Sequence, residues 1–149
     1  MFDYVYENAV GIKIYSSDWE YIYNYNVSGL NTALKFSKEG NHTSNIQMSH
    51  SCFLDCMYGI DVSVMNNMGS SFFNITIACA DDEKSSAVRT QSTSKNPIMF
   101  NNCSFYTSKG NAVYLEGIEI AQFVNCVFNA SDNIDKYVIE NKYASLILL

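Results

Sequence analysis

Five asparagines stand in the N-x-Ser/Thr pattern that accepts N-linked glycans. They are Asn26, Asn41, Asn74, Asn102 and Asn129. This modification belongs to secreted and cell-surface proteins, so the pattern favours a location outside the cell. A chain rich in Asn, Ser and Thr also forms such triplets by chance. Asn41 and Asn129 lie in loop-like stretches and are the better acceptor candidates, whereas the other three fall on a structural repeat.

The cysteines offer thiol chemistry, but their spacing defines no site. They are Cys52, Cys56, Cys79, Cys103 and Cys126. An odd number cannot all pair with one another, and no C-x-x-C or Cys/His spacing of a zinc centre is present. Three of them, Cys52, Cys103 and Cys126, occupy one column of the repeat, which aliphatic residues continue at Val27 and Ile75. This exchange favours inward packing of reduced thiols over disulfides, and we expect no metal or cofactor.

Carboxylates on neighbouring strands could cleave a sugar polymer, either as an acid/base pair or as calcium ligands beside a basic residue. The central acids are Asp55, Asp61, Asp81, Asp82 and Glu83. None falls in a recognisable catalytic motif, and His42 and His50 lack a Ser or Cys partner set. The chain is therefore not expected to be an enzyme. A fragment of a polysaccharide lyase or glycoside hydrolase stays open as an alternative.

Similar tetrapeptides return about every 25 residues, which is the spacing of a solenoid repeat. The first column reads Asn26-Val-Ser-Gly, Ser51-Cys-Phe-Leu, Asn74-Ile-Thr-Ile, Asn102-Cys-Ser-Phe and Asn125-Cys-Val-Phe. The second column reads Gly11-Ile-Lys-Ile, Ala33-Leu-Lys-Phe, Gly59-Ile-Asp-Val, Ala87-Val-Arg-Thr, Ala112-Val-Tyr-Leu and Tyr137-Val-Ile-Glu. The asparagine column is expected to form a structural ladder at a coil corner, because Asn tolerates the left-handed conformation.

Within each column the apolar positions alternate with polar ones, which is typical of short half-buried strands. Such strands bury a face only when copies stack, so the pattern predicts a right-handed single-stranded parallel β-helix of about six coils. A β-sandwich also uses short alternating strands, but it does not predict a fixed period. Cys103 and Cys126 should then lie on neighbouring coils. The predicted interior contains Cys103, Phe105, Val113, Leu115, Cys126 and Phe128.

The outward position of the second column carries one polar residue per coil. These are Lys13, Lys35, Asp61, Arg89 and Tyr114. Alternation of sign at Lys35, Asp61 and Arg89 suits a solvated sheet face, on which exposed ion pairs add little stability. The same strip could hold a sugar by hydrogen bonds and stacking on Tyr114. Both interpretations remain open here.

Two segments carry a family resemblance. Phe100-Asn-Asn-Cys-Ser-Phe105, followed by Gly110-Asn-Ala-Val-Tyr-Leu115, and Phe123-Val-Asn-Cys-Val-Phe128 resemble the F-x-x-N and G-G-A-I repeats of polymorphic outer-membrane-protein-type β-helices. More loosely, they are similar to the pectin-lyase-like superfamily. The resemblance implies a surface, adhesin or fibre architecture, or else the scaffold of a polysaccharide-cleaving enzyme.

Composition limits the classes of partner. The 149 residues are 48% hydrophobic and 16% charged with a net charge of -6, and Arg89 is the sole arginine. A nucleic-acid binder needs a concentrated positive field, and a spanning helix needs a longer apolar run, so neither nucleic acid nor membrane insertion is expected. Residues 1–149 are expected to form one solenoid domain. The apolar tail 144–149 suggests a segment of a larger protein.

These observations predict a non-catalytic structural or adhesive module of a cell-surface or extracellular fibre protein. Its expected partners are other chains of that assembly, or glycans. An intracellular scaffold with reduced cysteines is the second alternative. Residues 1–25 are aromatic-rich from Tyr15 to Tyr25, with Trp19 among them, and form a possible capping or docking segment because solenoid ends need cover.

Overall fold

Short parallel strands stack into a β-solenoid of about five turns. The computed structural model describes residues 2–37, 44–65, 68–91, 96–117, 120–129, 137–142 and 144–149. The elements in chain order are α1 (Phe2–Asn8), β1 (Val10–Ile14), β2 (Ser17–Tyr23), β3 (Asn26–Ser28), β4 (Thr32–Phe36), β5 (Ser44–Cys56), β6 (Tyr58–Val62), β7 (Ser70–Cys79), β8 (Ser86–Thr90), β9 (Ile98–Asn101), β10 (Ser104–Tyr106), β11 (Asn111–Glu116), β12 (Ile120–Val124), β13 (Val127–Asn129), β14 (Ile139–Lys142) and β15 (Ser145–Leu148). The predicted parallel β-helix repeat is confirmed, while its handedness stays a prediction.

Sheet A contains six strands in the order β1-β4-β6-β8-β11-β14, and all its pairs are parallel. Its register confirms the second sequence column from Ile12 to Val113, because Ile12 faces Leu34 and Val88 faces Val113. The last row of that column, which begins at Tyr137, was aligned wrongly by one residue. Val113 faces Ile139, so Tyr114 faces Glu140.

Sheet B bends along one line and has two arms. Its first arm consists of β2, residues 44–49 of β5, residues 70–73 of β7, β9, β12 and β15. Its second arm consists of β3, residues 51–56 of β5, residues 75–79 of β7, β10 and β13. Together with sheet A, the two arms supply three strand-bearing sides to each turn.

A column of left-handed residues forms the bend between the two arms. The φ angles are 56° at Asn24, 54° at His50, 51° at Asn74, 53° at Asn102 and 50° at Asn125. The prediction of a left-handed asparagine corner is therefore confirmed at Asn74, Asn102 and Asn125, since Asn accepts this conformation more readily than most side chains.

The predicted corner was wrong in the first turns. Asn26 lies within β3 and faces Cys52, while Asn24 occupies the corner. In the next turn His50 takes the left-handed conformation, and the row that begins at Ser51 therefore shifts by one residue. Cys52 faces Thr76 in the outward column, so its predicted inward position was wrong.

Phenylalanine ladders fill the interior beside this corner. Phe100 stacks on Phe72 and Phe123 with ring centroids 4.9 and 5.0 Å apart, and Phe105 stacks on Phe128 at 5.2 Å. Phe105 and Phe100 meet edge to face at 5.3 Å, which joins the two ladders. The predicted interior is confirmed, with Cys126 and Phe128 partly buried against the core.

Asn102→Ala should lower the free energy of unfolding by about 1 kcal/mol, because alanine adopts the left-handed conformation at a cost. Asn102→Gly should stay close to the parent, because glycine lacks the Cβ atom that causes this cost. Asn26→Ala is the matched control within a strand. Urea unfolding of unglycosylated protein measures all three, and equal losses at positions 26 and 102 would contradict the corner assignment.

Candidate functional site

A charged ladder runs along the outer side of sheet A. It consists of Lys13, Lys35, Asp61, Arg89, Tyr114 and Glu140, one per rung. Asp61 accepts two hydrogen bonds from Arg89, at 3.0 Å from Nε and 2.8 Å from Nη2. Lys35 Nζ lies 3.5 Å from the same carboxylate, and Gln91 Nε2 donates to it at 3.3 Å. The predicted stacking of these side chains is confirmed.

Asp61 is buried rather than solvated. Its side chain is 0% exposed, because Lys35 and Arg89 on the adjoining rungs cover it. Arg89 also lies over the ring of Tyr58, with its Cζ atom 3.6 Å from the ring centroid. Burial opposes the charge of the Arg89 guanidinium, but Asp61 and Tyr58 together outweigh burial and raise the pKa of Arg89. The expectation that Asp61 is solvent-exposed was wrong.

The C-terminal end of the charged ladder is also internally bonded. Lys142 Nζ donates to the Tyr114 hydroxyl at 3.1 Å, and that hydroxyl donates to Glu116 at 3.1 Å. Tyr114 and Glu140 both raise the pKa of Lys142. A surface pocket of about 300 Å³ lies beside Arg89, Tyr114 and Glu140. The polar groups of the ladder from Lys35 to Glu140 are thus bonded to one another or to neighbouring side chains. The predicted role of the ladder in sugar binding stays a prediction.

Asp61→Ala should reduce the free energy of unfolding by about 3 kcal/mol, because it leaves a partly buried arginine without its carboxylate partner. The control is Asp81→Ala, which removes an exposed carboxylate paired with Lys109 at 3.0 Å and should leave stability nearly unchanged. Thermal and urea unfolding test both variants. A loss at Asp61 no larger than that at Asp81 would contradict a buried ion-pair clamp.

The outer side of the first arm of sheet B carries two columns that, unlike the charged ladder, contain no charged residues. One column contains Tyr21, Gln47, Ser71, Met99, Gln122 and Ile147, and the other contains Tyr23, Ser49, Phe73, Asn101 and Val124. We call these two columns the neutral face, because none of their residues is Asp, Glu, Lys, Arg or His. Tyr21 and Tyr23 are 72% and 70% exposed.

A bulge places a further aromatic ring beside the neutral face. The register between β2 and β5 shifts between Ser17 and Glu20, and Trp19 within that shift has a φ angle of 61°. Its backbone N–H donates to Asn45 Oδ1 at 2.9 Å, which holds this conformation. A bulky residue rarely adopts a left-handed φ, and bulges commonly redirect a side chain. The indole is 45% exposed as a result.

Shallow grooves cross the neutral face. One of about 280 Å³ lies between Tyr21, Tyr23 and Phe73. Another of about 270 Å³ is lined by Trp19, Met99 and residues of the two turns between them. Gln47 lines both grooves, which therefore adjoin.

The sequence indicated part of this surface. The predicted capping or docking segment, residues 1–25, supplies Trp19, Tyr21 and Tyr23. Its residues 2–23 form α1, β1 and β2, and the first corner follows at Asn24. Phe73 and Met99 were missed, because neither sequence column contained the first arm of sheet B. Burial alternates around Phe72 and Phe100 in the structure, but Phe73 and Met99 are as apolar as these buried neighbours, so the sequence carried no alternating signal there.

The glycan acceptor candidates that the structure describes all lie at the surface. Asn26, Asn74, Asn102 and Asn129 are exposed, whereas Asn41 falls outside the described residues. Asn129 ends strand β13 opposite Tyr106, so its predicted loop position was wrong. Whether these asparagines carry glycans stays a prediction.

All five cysteines are described and free. Cys103 and Cys126 lie one turn apart, since Val127 N–H donates to the Cys103 carbonyl at 2.9 Å. The Cys103 thiol stabilises a Cys126 thiolate, and with help from backbone groups it overcomes partial burial and lowers the pKa of Cys126 to about 7. The same interaction, with burial, raises the pKa of Cys103. Burial raises the pKa of Cys79 to about 12.

Alkylation of Cys126 should accelerate as pH rises through about 7, because the thiolate is the nucleophile and its pKa is lowered to about 7. Cys103→Val removes the stabilising thiol and should move this midpoint to higher pH. Peptide mapping after brief iodoacetamide treatment measures the reaction. An unchanged midpoint in the variant would show that Cys103 does not stabilise the thiolate.

The described residues were also compared with the requirements of a metal site, an acidic site and a membrane span. No group of three or more His, Cys, Asp or Glu side chains there could hold a metal ion. Asp81, one of the central acids, accepts a hydrogen bond from Ser108 at 2.6 Å, and Ser108 and Lys109 lower its pKa. No helix among the described residues has the length and apolarity needed to span a membrane.

The architecture defines a parallel β-solenoid with one charged and one neutral outer face. The chain matches no protein-family model, no curated protein and no solved structure. The resemblance to outer-membrane-protein-type repeats is therefore confined to local motifs.

Proposed function

We propose that this chain is a non-catalytic structural and adhesive module of a cell-surface or extracellular fibre protein, and that its neutral face binds a neutral glycan. The observation that carries the proposal is the pair of uncharged columns on the first arm of sheet B, with exposed aromatic rings beside amide and hydroxyl groups. The solenoid supplies a rigid platform, because every rung is hydrogen-bonded to the next.

The chemistry of the face suits a sugar chain. Aromatic rings pack against the C–H faces of pyranose rings, and Tyr21, Tyr23 and Phe73 offer such platforms on the first and third rungs. Amide and hydroxyl groups bond sugar hydroxyls, and Gln47 and Ser49 supply them on the rung between. Binding sites of this kind combine apolar area with a few placed polar groups.

Charge distinguishes the ligand class. An acidic polysaccharide would require cations, and Asp61 already engages Lys35 and Arg89 of the charged ladder. The neutral face offers no such cation. The centre of a protein–protein contact favours a continuous apolar patch, whereas Gln47, Ser49 and Ser71 separate the aromatic rings of the first rung from that of the third. These contrasts favour a neutral glycan over another chain of the assembly.

The exposed glycan acceptor candidates bear on the same proposal, because their positions decide which side of the solenoid would carry glycans. Asn26 and Asn129 lie on the second arm of sheet B, and Asn74 and Asn102 lie on the bend. Glycans on Asn26 and Asn129 would leave the outward columns of the first arm accessible, whereas Asn74 and Asn102 directly follow Phe73 and Asn101 of the neutral face. The module would then be glycosylated on one side and adhesive on the next.

Protein produced in bacteria, which carries no glycans of its own, should bind neutral oligosaccharides on an array that also displays acidic ones. Tyr21→Ala and Tyr23→Ala should each weaken binding about tenfold or more, equivalent to about 1.4 kcal/mol. Their melting temperatures should stay near the parent value, because both rings are exposed. Calorimetry with the best neutral oligosaccharide gives the affinities.

The matched control is Tyr114→Ala, which removes a tyrosine from the charged ladder and should leave glycan binding unchanged. Loss of binding in that variant would move the site to sheet A. No binding to any neutral glycan would contradict the proposal, and self-association lost in Tyr21→Ala would favour another chain of the assembly instead.

A further inference from the structure

Two cysteines of the solenoid interior occupy equivalent positions in consecutive turns. Cys103 and Cys126 stand one position before Ser104 and Val127, which face each other in the ladder between β10 and β13. The Val127 N–H donates to the Cys103 carbonyl at 2.9 Å, so the two backbones are hydrogen-bonded at this point. Neighbouring hydrogen-bonded strands lie about 4.8 Å apart. A strand spacing of this size falls within the range of about 4.4–6.8 Å that a disulfide requires between Cα atoms.

The two side chains also turn the same way. Cys103 Sγ lies 3.3 Å from the carbonyl oxygen of Asn101, and Cys126 Sγ lies 3.4 Å from that of Val124. Each carbonyl belongs to the residue two positions earlier, so both thiols have the same orientation within their turns. The Cys103 thiol also forms a hydrogen bond with the Cys126 sulfur. The two thiols are therefore in contact in the reduced protein.

Burial gives the two thiols different roles. Cys103 is fully buried, and the carbonyl of Phe72 in the preceding turn lies 3.5 Å from its Sγ atom. Cys126 is partly exposed, and the strand β13 that follows it pairs only with β10 among the described strands. A dissolved oxidant therefore reaches Cys126 first. The lowered pKa of Cys126 supplies the thiolate that thiol–disulfide exchange requires.

We propose that Cys103 and Cys126 are an oxidation site, at which a small disulfide such as oxidised glutathione closes a covalent bridge between consecutive turns. The Cys126 thiolate attacks one sulfur of the oxidant, forms a mixed disulfide and releases one glutathione thiolate. Cys103 then loses its proton to solvent, and its sulfur attacks the Cys126 sulfur, which breaks the bond to the second glutathione. Each cysteine thus loses one hydrogen atom, and the oxidant is reduced to two molecules of glutathione.

The first step of this exchange favours the second. The hydrogen bond to Cys126, burial and the negative charge of Cys126 each raise the pKa of Cys103. Both contributions of the Cys126 thiolate end when its sulfur enters the mixed disulfide. Cys103 therefore ionises more readily at the stage at which its sulfur must attack.

The other cysteines provide an internal comparison. Cys56 faces Cys79 one turn later, but the register shifts between Leu54 and Cys56 immediately before it. Burial raises the pKa of Cys56, and burial together with Cys56 raises the pKa of Cys79 to about 12, so neither supplies a thiolate near neutral pH. Cys52 lies on the outward column and has no cysteine on the facing rungs. These three thiols are expected to stay reduced.

A chain outside the cell meets the oxidising conditions in which disulfides form and persist. This setting rests on the proposed function, whereas the pairing of Cys103 with Cys126 does not depend on glycan binding. Oxidation of the purified chain therefore tests the pairing alone, and glycan binding by the same chain tests the proposed function.

The test exposes fully reduced, folded protein to oxidised glutathione near neutral pH. The remaining thiols are then alkylated with iodoacetamide, and the peptides are mapped without reduction. Cys103 should be linked to Cys126, with loss of the mass of two hydrogen atoms from the chain, whereas Cys52, Cys56 and Cys79 should be alkylated. The bridge should raise the melting temperature by about 5 °C or more, because it closes a long loop of the unfolded chain.

Cys52→Ser is the matched control and should form the bridge as fast as the parent. Cys126→Ser should leave Cys103 unmodified, because Cys126 is the thiol that meets the oxidant, and circular dichroism verifies folding of both variants. The proposal is overturned if oxidation stops at a Cys126–glutathione adduct, if Cys126 links two chains, or if both cysteines are alkylated. A bridged protein that melts no higher than the reduced one would also overturn it, because the bridge would then strain the stacked turns.

Discussion

The parallel hydrogen-bond ladder is the constraint on which this structure depends. It places each side chain directly over its equivalent in the next turn, at a spacing of about 4.8 Å. The side chains of each column must therefore be able to pack on one another from turn to turn. Stacked phenylalanine rings meet this condition at centroid separations near 5 Å, and charges meet it when Asp61 lies between Lys35 and Arg89.

The same constraint separates the chemistry of the outer faces. On sheet A the stacked charges are close enough to engage one another, and the result is a clamp with a buried carboxylate at Asp61. On the first arm of sheet B the stacked side chains are neutral and have no strong partners in the column. Tyr21 and Tyr23 remain exposed, and this is the surface at which we propose that a ligand binds.

Sequence periodicity was sufficient for the fold and for most of the register. The columns through Val113 and Phe105 could be aligned because their residue classes repeat with period two. The rows at Ser51 and Tyr137 were displaced by one residue, because His50 replaces asparagine at the corner and Val138 and Ile139 are both apolar. The burial of Asp61 could not be predicted from the sequence, because it depends on Lys35 and Arg89, which the two neighbouring turns contribute. The neutral face was missed in part because its polar residues differ from turn to turn, being Gln, Ser or Asn, so they form no recognisable repeat.

A solution NMR titration maps the binding surface most directly. Isotope-labelled protein would be titrated with the neutral oligosaccharide that binds best. Glycan binding at the neutral face predicts saturable shifts centred on Tyr21, Tyr23, Phe73 and Met99, with little change at Lys35, Asp61 and Arg89. Shifts centred on the charged ladder, or no saturable shift with any neutral oligosaccharide, would contradict it.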